Sequence, residues 1–359
     1  MKRIIPSLAL IAGASSIISC NDKLNIAAPY KNITVVYGLL DIADTAHYIR
    51  IEKAFMDENQ SAIDMAKIAD SSFYSSLSVV LKEFVHAEDS IPHNIITLNR
   101  VDLSNEGYTK DTGAFFNTPN YAYKFKYALN PSYQYRIVIK NTATGEVDSA
   151  ISPVISDAGP ITYFGVTEWQ RSTETISFAK VLREDGKPDE INYGINIPAN
   201  VGAAELAIRF NWTDSNILTG AATHKYADFS NFSSLTSIVP SSTSSKSYSY
   251  SAQNKDVYQF LRDALGTPSA NQYRYFDSCD MYLYVAGTEY QRYNDLNANK
   301  GGLTADEIRP IYTNLRGLNV MGLFSTRAKT KRLQMPLGES TKDSLLTNSL
   351  TRDLNIRFY

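Results

Sequence analysis

Apolar residues recur at every second position in this chain, and that period restricts its fold more than any other feature. In Tyr48-Ile49-Arg50-Ile51-Glu52-Lys53 the isoleucines point one way and the charges the other. The same alternation runs through Leu77, Val79 and Leu81, and through Tyr121, Tyr123, Phe125 and Tyr127. Successive side chains of a strand leave opposite faces of a sheet, so strict alternation marks a strand with one dry face. Segments 33–40, 147–155, 175–182, 191–197, 204–212, 275–285 and 354–358 read as further strands. Helical spacing is confined to 61–69, 289–296 and 253–265. In the last of these Val257, Phe260, Leu261 and Ala264 share a face, and Gly266 stands just past the end. A chain with 24 tyrosines and this pattern is mostly β.

One stretch narrows the class further. Leu129-Asn130-Pro131 precedes Tyr133-Gln134-Tyr135-Arg136-Ile137-Val138-Ile139. It resembles the corner before strand F of fibronectin type III and related immunoglobulin-like sandwiches, where a tyrosine hydroxyl bonds back to the corner backbone. The resemblance gives that role to Tyr135 and turns Ile137 and Ile139 into the core. A glycine-containing turn at 141–146 then leads to a last strand at 147–155. Ser156-Asp157-Ala158-Gly159-Pro160 is a run of breaker residues and reads as a linker. The expectation is an immunoglobulin/fibronectin-III-like sandwich over 31–156, then a second β-rich domain with one clear helix over 161–359. Serine-rich 230–251 reads as a surface loop or sheet edge.

The amino terminus says where such a chain goes. Lys2 and Arg3 precede a mostly apolar run at 4–18, and Ile17-Ile18-Ser19-Cys20 closes it. The run is shorter than the roughly 20 residues that cross a bilayer, and charge resumes at Asp22 and Lys23. This layout resembles a bacterial lipoprotein signal: residues 1–19 removed, Cys20 acylated, and 20–30 a tether to the fold. Acyl chains add about 0.8 kcal/mol per buried methylene, so several make a stable anchor. Cys279, the one other cysteine, is left without an intrachain partner and reads as a buried thiol on the face of Met281, Leu283 and Val285. A formal net charge of −2 offers no basic surface of the kind that nucleic acid needs.

The Val36-Tyr37-Gly38-Leu39-Leu40 strand, the segment Pro310-Ile311-Tyr312-Thr313-Asn314-Leu315 and the later Gly322-Leu323-Phe324-Ser325-Thr326-Arg327 complete a pattern. With the lipobox, they resemble a broad group of Bacteroidota outer-membrane lipoproteins composed of domains of unknown function. That resemblance implies an outer-membrane, lipid-anchored location and a neighbouring TonB-dependent transporter as partner. Asp44-Thr45-Ala46, Asp89-Ser90-Ile91, Asp148-Ser149-Ala150 and Asp343-Ser344-Leu345 look like the O-glycosylation sequon of the same bacteria, which makes Thr45, Ser90, Ser149 and Ser344 candidate acceptors. Ordinary turn chemistry explains such triplets as well.

Few residues suggest chemistry. Asp295, Asn297 and Asn299, with Asp306 at position 12, begin like a calcium loop, but Lys300 occupies the position that calls for glycine. Calcium is the one ion the sequence raises, and no cofactor motif accompanies it. His47, His86, His93 and His224 lack ligand spacing, and no nucleophile elbow or zinc-hydrolase motif occurs. A paired-carboxylate hydrolase stays open, because its two acids can be far apart in sequence. Tyr121, Tyr123 and Tyr127 are a sandwich core or, if exposed, a binding platform. Arg327, Lys329, Lys331 and Arg332 make a basic cluster suited to phosphate-rich lipopolysaccharide or simply to solvent. The reading is a non-enzymatic binding lipoprotein, an accessory to nutrient capture or to a surface transporter. The alternative is a fimbrillin-like pilus subunit that gives up its first strand by cleavage after Arg50.

Overall fold

A computed structural model describes residues 33–54, 61–86, 88–155, 161–163, 175–234, 246–298 and 312–358. The first half is built from β1 (Ile33–Asp41), β2 (Ala46–Ala54), β3 (Leu77–Phe84), β4 (Asn94–Asp102), β5 (Tyr121–Lys126), β6 (Gln134–Asn141) and β7 (Val147–Pro153). Strands pair in the order β1-β2-β5 on one side and β4-β3-β6-β7 on the other. β4 joins the two, pairing with β3 through Leu98 and with β5 from Asn99 onward. This is the strand arrangement of a fibronectin-type sandwich. Alternation built it as expected: Ile49, Ile51, Val79, Leu81, Ile137 and Ile139 all enter one core. Where one helix was expected at 61–69, two single turns form, α1 (Ala62–Met65) and α2 (Ala69–Ser72). Such short turns draw their stability from packing rather than from helix propagation.

The corner before β6 is as expected, with an addition. The Asn130 backbone N–H donates to the Tyr135 hydroxyl at 2.8 Å. That hydroxyl in turn donates to Glu83 Oε2 at 2.6 Å, and Glu83 is buried. Burial, reinforced by the Glu83 carboxylate, pushes the Tyr135 phenol well above its ordinary pKa. Tyr135 therefore closes the turn and also holds a carboxylate that water does not reach. Close by, the His47 ring stacks on Phe125 with centroids 4.6 Å apart. Its Nε2 lies 3.0 Å from the Tyr127 carbonyl, which can only accept, so Nε2 carries the proton.

The second half adds β8 (Ile161–Tyr163), β9 (Glu190–Ile197), β10 (Val201–Asn216), β11 (Ala222–Phe229), β12 (Ser233–Ser234), β13 (Lys246–Gln253), β14 (Gln272–Gly287), β15 (Val320–Met335) and β16 (Ile356–Phe358). Its helices are α3 (Asn254–Leu265), α4 (Thr288–Ala298) and α5 (Glu339–Thr347). A small sheet ordered β12-β13-β9-β8 faces the long strands β10 and β14, with α3 packed into the same core. Ile208, Phe210, Met281 and Leu283 are the long strands' contribution, and Ile195, Tyr248 and Leu261 come from the layer opposite. Arg274 fastens the end of this core. It is buried and donates to the Leu265 carbonyl at 2.7 Å, where α3 ends, and to the Leu354 carbonyl at 2.8 Å, just before β16.

Three expectations need correction here. Residues 175–182 form no strand; Ile176 and Phe178 are buried, but pairing is limited to single bridges at Ile176 and Leu182. Their alternation reports burial against α5 and its entry, where the Phe178 N–H donates to Thr341. The serine-rich segment is not all surface. Ser247-Tyr248-Ser249-Tyr250-Ser251 belongs to β13, paired on both sides, with both tyrosines buried. On α3 the buried face is Val257, Tyr258, Leu261 and Leu265, whereas Ala264 is exposed, so the apolar stripe is rotated by the pull of Tyr258 into the core.

The division expected at 156–160 separates neither the cores nor the sheet: Ile155 already belongs to the second core. β1 pairs in parallel with β15 from Thr34↔Val320 to Asp41↔Arg327, and β15 continues as the antiparallel neighbour of β14. Phe324 enters the first core and Ala328, one helical-free step of four residues on and so on the same face, enters the second. Leu315 also belongs to the first core. The sandwich expected to end at 156 is thus completed by residues from 315 to 327. The linker at 156–160 and the tether at 20–30 lie outside the described residues.

Two measurements test this account. Tyr135→Phe removes an acceptor for Asn130 and the donor to buried Glu83, so it should cost about 1–3 kcal/mol in urea unfolding; an unchanged midpoint would mean that the corner bears no load. Burial lowers the His47 pKa, so the native state keeps the ring neutral while the unfolded chain takes a proton below about 6.5. Stability should therefore fall as pH drops from about 6.5 towards the depressed native value, by at most about 1.4 kcal/mol per pH unit. His47→Gln should flatten that part of the stability–pH curve.

Candidate functional site

The residues that alternate with the second core form the outer face of the long sheet. On β10, Ile208, Phe210 and Trp212 point inward, which leaves Ala207, Arg209 and Asn211 outside. Register then sets their neighbours. Asn211 faces Tyr226 and Arg209 faces Asp228 on β11; Ala207 faces Tyr282 and Glu205 faces Tyr284 on β14. On β15, Lys329 stands opposite Tyr284 and Lys331 opposite Tyr282.

Rings and cations alternate across these strands. The Arg209 guanidinium lies 3.9 Å from the Tyr226 ring centroid and 5.1 Å from that of Tyr282. The Lys329 ammonium lies 4.2 Å from Tyr282 and 5.0 Å from Tyr284, and the last two rings are stacked at 6.1 Å. Asp228 holds Arg209 in a two-pronged pair of 2.7 and 2.8 Å. That bond raises the guanidinium pKa further above its ordinary value. Asp280 gathers Asn211 at 3.2 Å and the Gln334 backbone N–H at 2.9 Å. Tyr282 is 7% exposed because cations roof it, whereas Tyr226 is 57% and Tyr284 37% exposed. Each cation over a tyrosine face is worth roughly 0.5–1 kcal/mol at an exposed site. The result is a surface with two accessible aromatic ends, Tyr226 and Tyr284, and with Lys329 and Lys331 beside them. Such a surface can stack against a planar or ring-shaped ligand and donate hydrogen bonds to it.

Sequence reasoning found one edge of this face, in Lys329 and Lys331, and missed Arg209, Tyr226, Tyr282 and Tyr284. The available signal was the complement of the core: polar and aromatic residues between buried Ile208 and Phe210, and between buried Met281, Leu283 and Val285. Of the other basic residues, Arg327 is paired with Asp41 at 3.3 Å and Asp44 at 3.7 Å. Of the aromatic row that begins in β5, Tyr123 and Phe125 are buried in the sandwich and Tyr127 packs against it, whereas Tyr121 is half-buried between Phe73 and the Arg100 guanidinium.

The remaining candidates are scattered. Cys20 lies outside the described residues. Thr45 and Ser90 are exposed in turns, Ser149 is half-buried in β7, and Ser344 is half-buried in α5. Asp295 and Asn297 are in α4, where Gln291 donates to the Asp295 carboxylate; the Asn297 side chain, Asn299 and Asp306 fall outside the described residues. Among the described residues no three His, Cys, Asp or Glu side chains converge as metal ligands. Cys279 is fully buried, and burial pushes its thiol pKa far up, so it packs with its neighbours as an inert side chain.

No family model matches this chain, and no curated protein matches it. Among solved structures it is similar to the C-terminal globular domain of an oligosaccharyltransferase from Pyrococcus abyssi, at 8% identity and a TM-score of 0.22, over 66% of this chain and 40% of that one. It is also similar to CBD12 from CALX1.2, at 9% identity and a TM-score of 0.17, over 82% of this chain and 98% of that one. The chain thus spans less than half the length of the first of these, and at such scores neither likeness carries an argument about function.

Arg209→Ala should destabilise the protein by about 1–2 kcal/mol, through loss of one ion pair and two ring contacts. Asp228→Ala, which leaves Arg209 over the rings, should cost less than about 1 kcal/mol in the same thermal unfolding assay. Equal losses would show that the ion pair, and not the ring contacts, orders this face.

Proposed function

We propose that this chain is a lipid-anchored outer-membrane protein that binds rather than catalyses, serving as an accessory to nutrient capture or to a surface transporter. The observation that carries the reading is the alternating row of Tyr226, Arg209, Tyr282, Lys329 and Tyr284 on an outer sheet face. Its rings and cations are already set in place, so a ligand meeting Tyr226 or Tyr284 would order few side chains, and that lowers the entropic cost of binding. Membership of the Bacteroidota lipoprotein group, acylation at Cys20 and partnership with a TonB-dependent transporter belong to the same proposal and rest on the sequence. Among the described residues no helix is long and apolar enough to cross a membrane.

The pilus alternative requires a first strand that can leave. β1 is hydrogen-bonded along both edges, to β2 and to β15, and Arg50 lies inside β2 opposite Tyr37. A protease needs an extended, unpaired backbone at its site, which supports the binding reading over strand donation.

Fractionation combined with N-terminal sequencing tests the proposal. Wild-type protein should resist a carbonate wash and begin at acylated Cys20, while Cys20→Ser should be released. Pull-down from native membranes should recover a transporter with the wild type and lose it with Tyr226→Ala and Tyr284→Ala combined. A mature terminus at Ile51, with ladders that survive mild denaturant, would replace this function by the pilus one.

A further inference from the structure

The outer face of the sandwich's β4-β3-β6-β7 sheet lies across the first core from β1, β2 and β5. Register places Ile95, Lys82, Arg136 and Ile151 side by side in one row. The adjacent row is Thr97, Val80, Val138 and Ser149, extended by Arg316, whose backbone pairs with Ser149 at 2.7 and 2.9 Å. Beyond it, Lys140 stands opposite Val147. Directly opposed residues share a face, so Lys82, Arg136, Lys140 and Arg316 all project from the same surface. None of the positions in these rows is Asp or Glu.

Two features separate this surface from an ordinary solvated strand face. Lys82 and Arg136 are directly opposite each other, a like-charge placement that destabilises a sheet unless something of opposite sign compensates it. Yet none of the four cations is in an ion pair among the described residues, in a protein whose other cations commonly are: Arg209 with Asp228, Arg262 with Asp353, and Arg327 with Asp41. The Arg136 guanidinium rests instead on the Phe84 ring at 4.6 Å. Secondly, apolar side chains are interleaved with the charges and stand in water: Ile95 is 54% and Val147 52% exposed, and Leu318, two residues past Arg316, is 88% exposed. A recess of about 210 Å³ on this surface is lined by Arg136, Ser149, Ile151 and Arg316.

We infer that this face rests on an anionic lipid surface, with Lys82, Arg136, Lys140 and Arg316 reaching headgroup phosphates and Ile95 and Val147 entering the interfacial layer. Charge complementarity selects the occupant, and the exposed aliphatic residues favour a lipid surface over a soluble polyanion, which would offer them nothing. A basic surface adds to a lipid anchor in the way a second membrane signal does. The inference goes beyond the binding function proposed above and borrows from it only the setting, a protein already tethered at a membrane.

The test uses the full chain carrying Cys20→Ser, so that acylation plays no part. It should sediment with vesicles of phosphatidylcholine containing about 30% phosphatidylglycerol, fail to do so with phosphatidylcholine alone, and detach as salt is raised. Lys82→Glu combined with Lys140→Glu should weaken vesicle binding by at least about tenfold. Lys187→Glu with Lys255→Glu, the same charge change elsewhere on the surface, should leave it within about twofold. Lys82→Glu by itself puts opposite charges across the strands from Arg136, so it should melt no lower than wild type while binding less, which separates lost binding from lost fold. Absence of binding to the anionic vesicles at low salt, or equal loss in the control variant, would overturn the inference. So would retention on an immobilised acidic polysaccharide by a chain that ignores the vesicles. Anchor failure shows in the carbonate wash and face failure in the vesicle assay, so either can occur without the other.

Discussion

The parallel pairing of β1 with β15 is the contact on which the remaining architecture depends. It makes two sheets into one and lays two cores along the same side of it. Gly322 is the residue that permits it. Its φ of +118° is open to glycine alone among the common residues, and a Cβ there would overlap the carbonyl of Val36 on the neighbouring strand. Asn314 then clamps the turn into β15, accepting from the Phe324 N–H at 3.0 Å and donating to the Phe324 carbonyl at 2.6 Å. Thr326 donates to the Pro153 carbonyl at 3.0 Å at the end of β7, and Arg316 pairs with Ser149. The segment from 313 to 327 thus spans the open side of the sandwich, bonding to β1 at one edge and to β7 at the other.

This accounts physically for the pattern that the sequence carries on either side of the turn into β15. In Tyr312-Thr313-Asn314-Leu315 and Gly322-Leu323-Phe324-Ser325-Thr326-Arg327, asparagine supplies the clamp, leucine and phenylalanine fill the first core, glycine admits the neighbouring backbone, and arginine meets Asp41. Asn314, Leu315, Gly322, Phe324 and Arg327 thus serve the junction. Strands with one dry face were legible throughout, because alternation is a direct imprint of a half-buried sheet. Tyr135 was legible because a corner needs a hydroxyl at a fixed offset. What could not be read was anything set by pairing between distant segments. Glu83 looks like an exposed strand acid until Tyr135 is placed above it, and Ser247–Ser251 looks like a loop until β9 and β12 flank it. The ring-and-cation row is of the same kind: Arg209, Tyr226, Tyr282 and Lys329 come from four strands and meet only through register.

The two surfaces singled out differ in how their charges are balanced. On the outer face of the long sheet Arg209 is met by two rings and a carboxylate and Lys329 by two rings, so that row is ordered by its own contacts before any ligand arrives. On the outer face of β4-β3-β6-β7 the four cations have no acidic partner among the described residues, and their mutual repulsion is left to whatever lies opposite. The first is a prepared platform and the second an incomplete one. The sandwich core separates them, so a molecule lying on the second would hold the first away from the surface on which it lies.

Pairing β1 with a strand that lies so far downstream in the sequence also governs how the molecule comes into being. A chain that emerges from its amino terminus can form the β1–β2 hairpin early, but the far edge of β1 stays open until β15 follows. That edge carries unpaired backbone donors and acceptors beside apolar Val36 and Leu40, which is the template that mispairing and aggregation exploit. Contacts so distant in sequence also fold slowly, because the intervening loop must close before they form. The joint that unites the two halves of the sheet is therefore the most exposed feature of the chain while it folds.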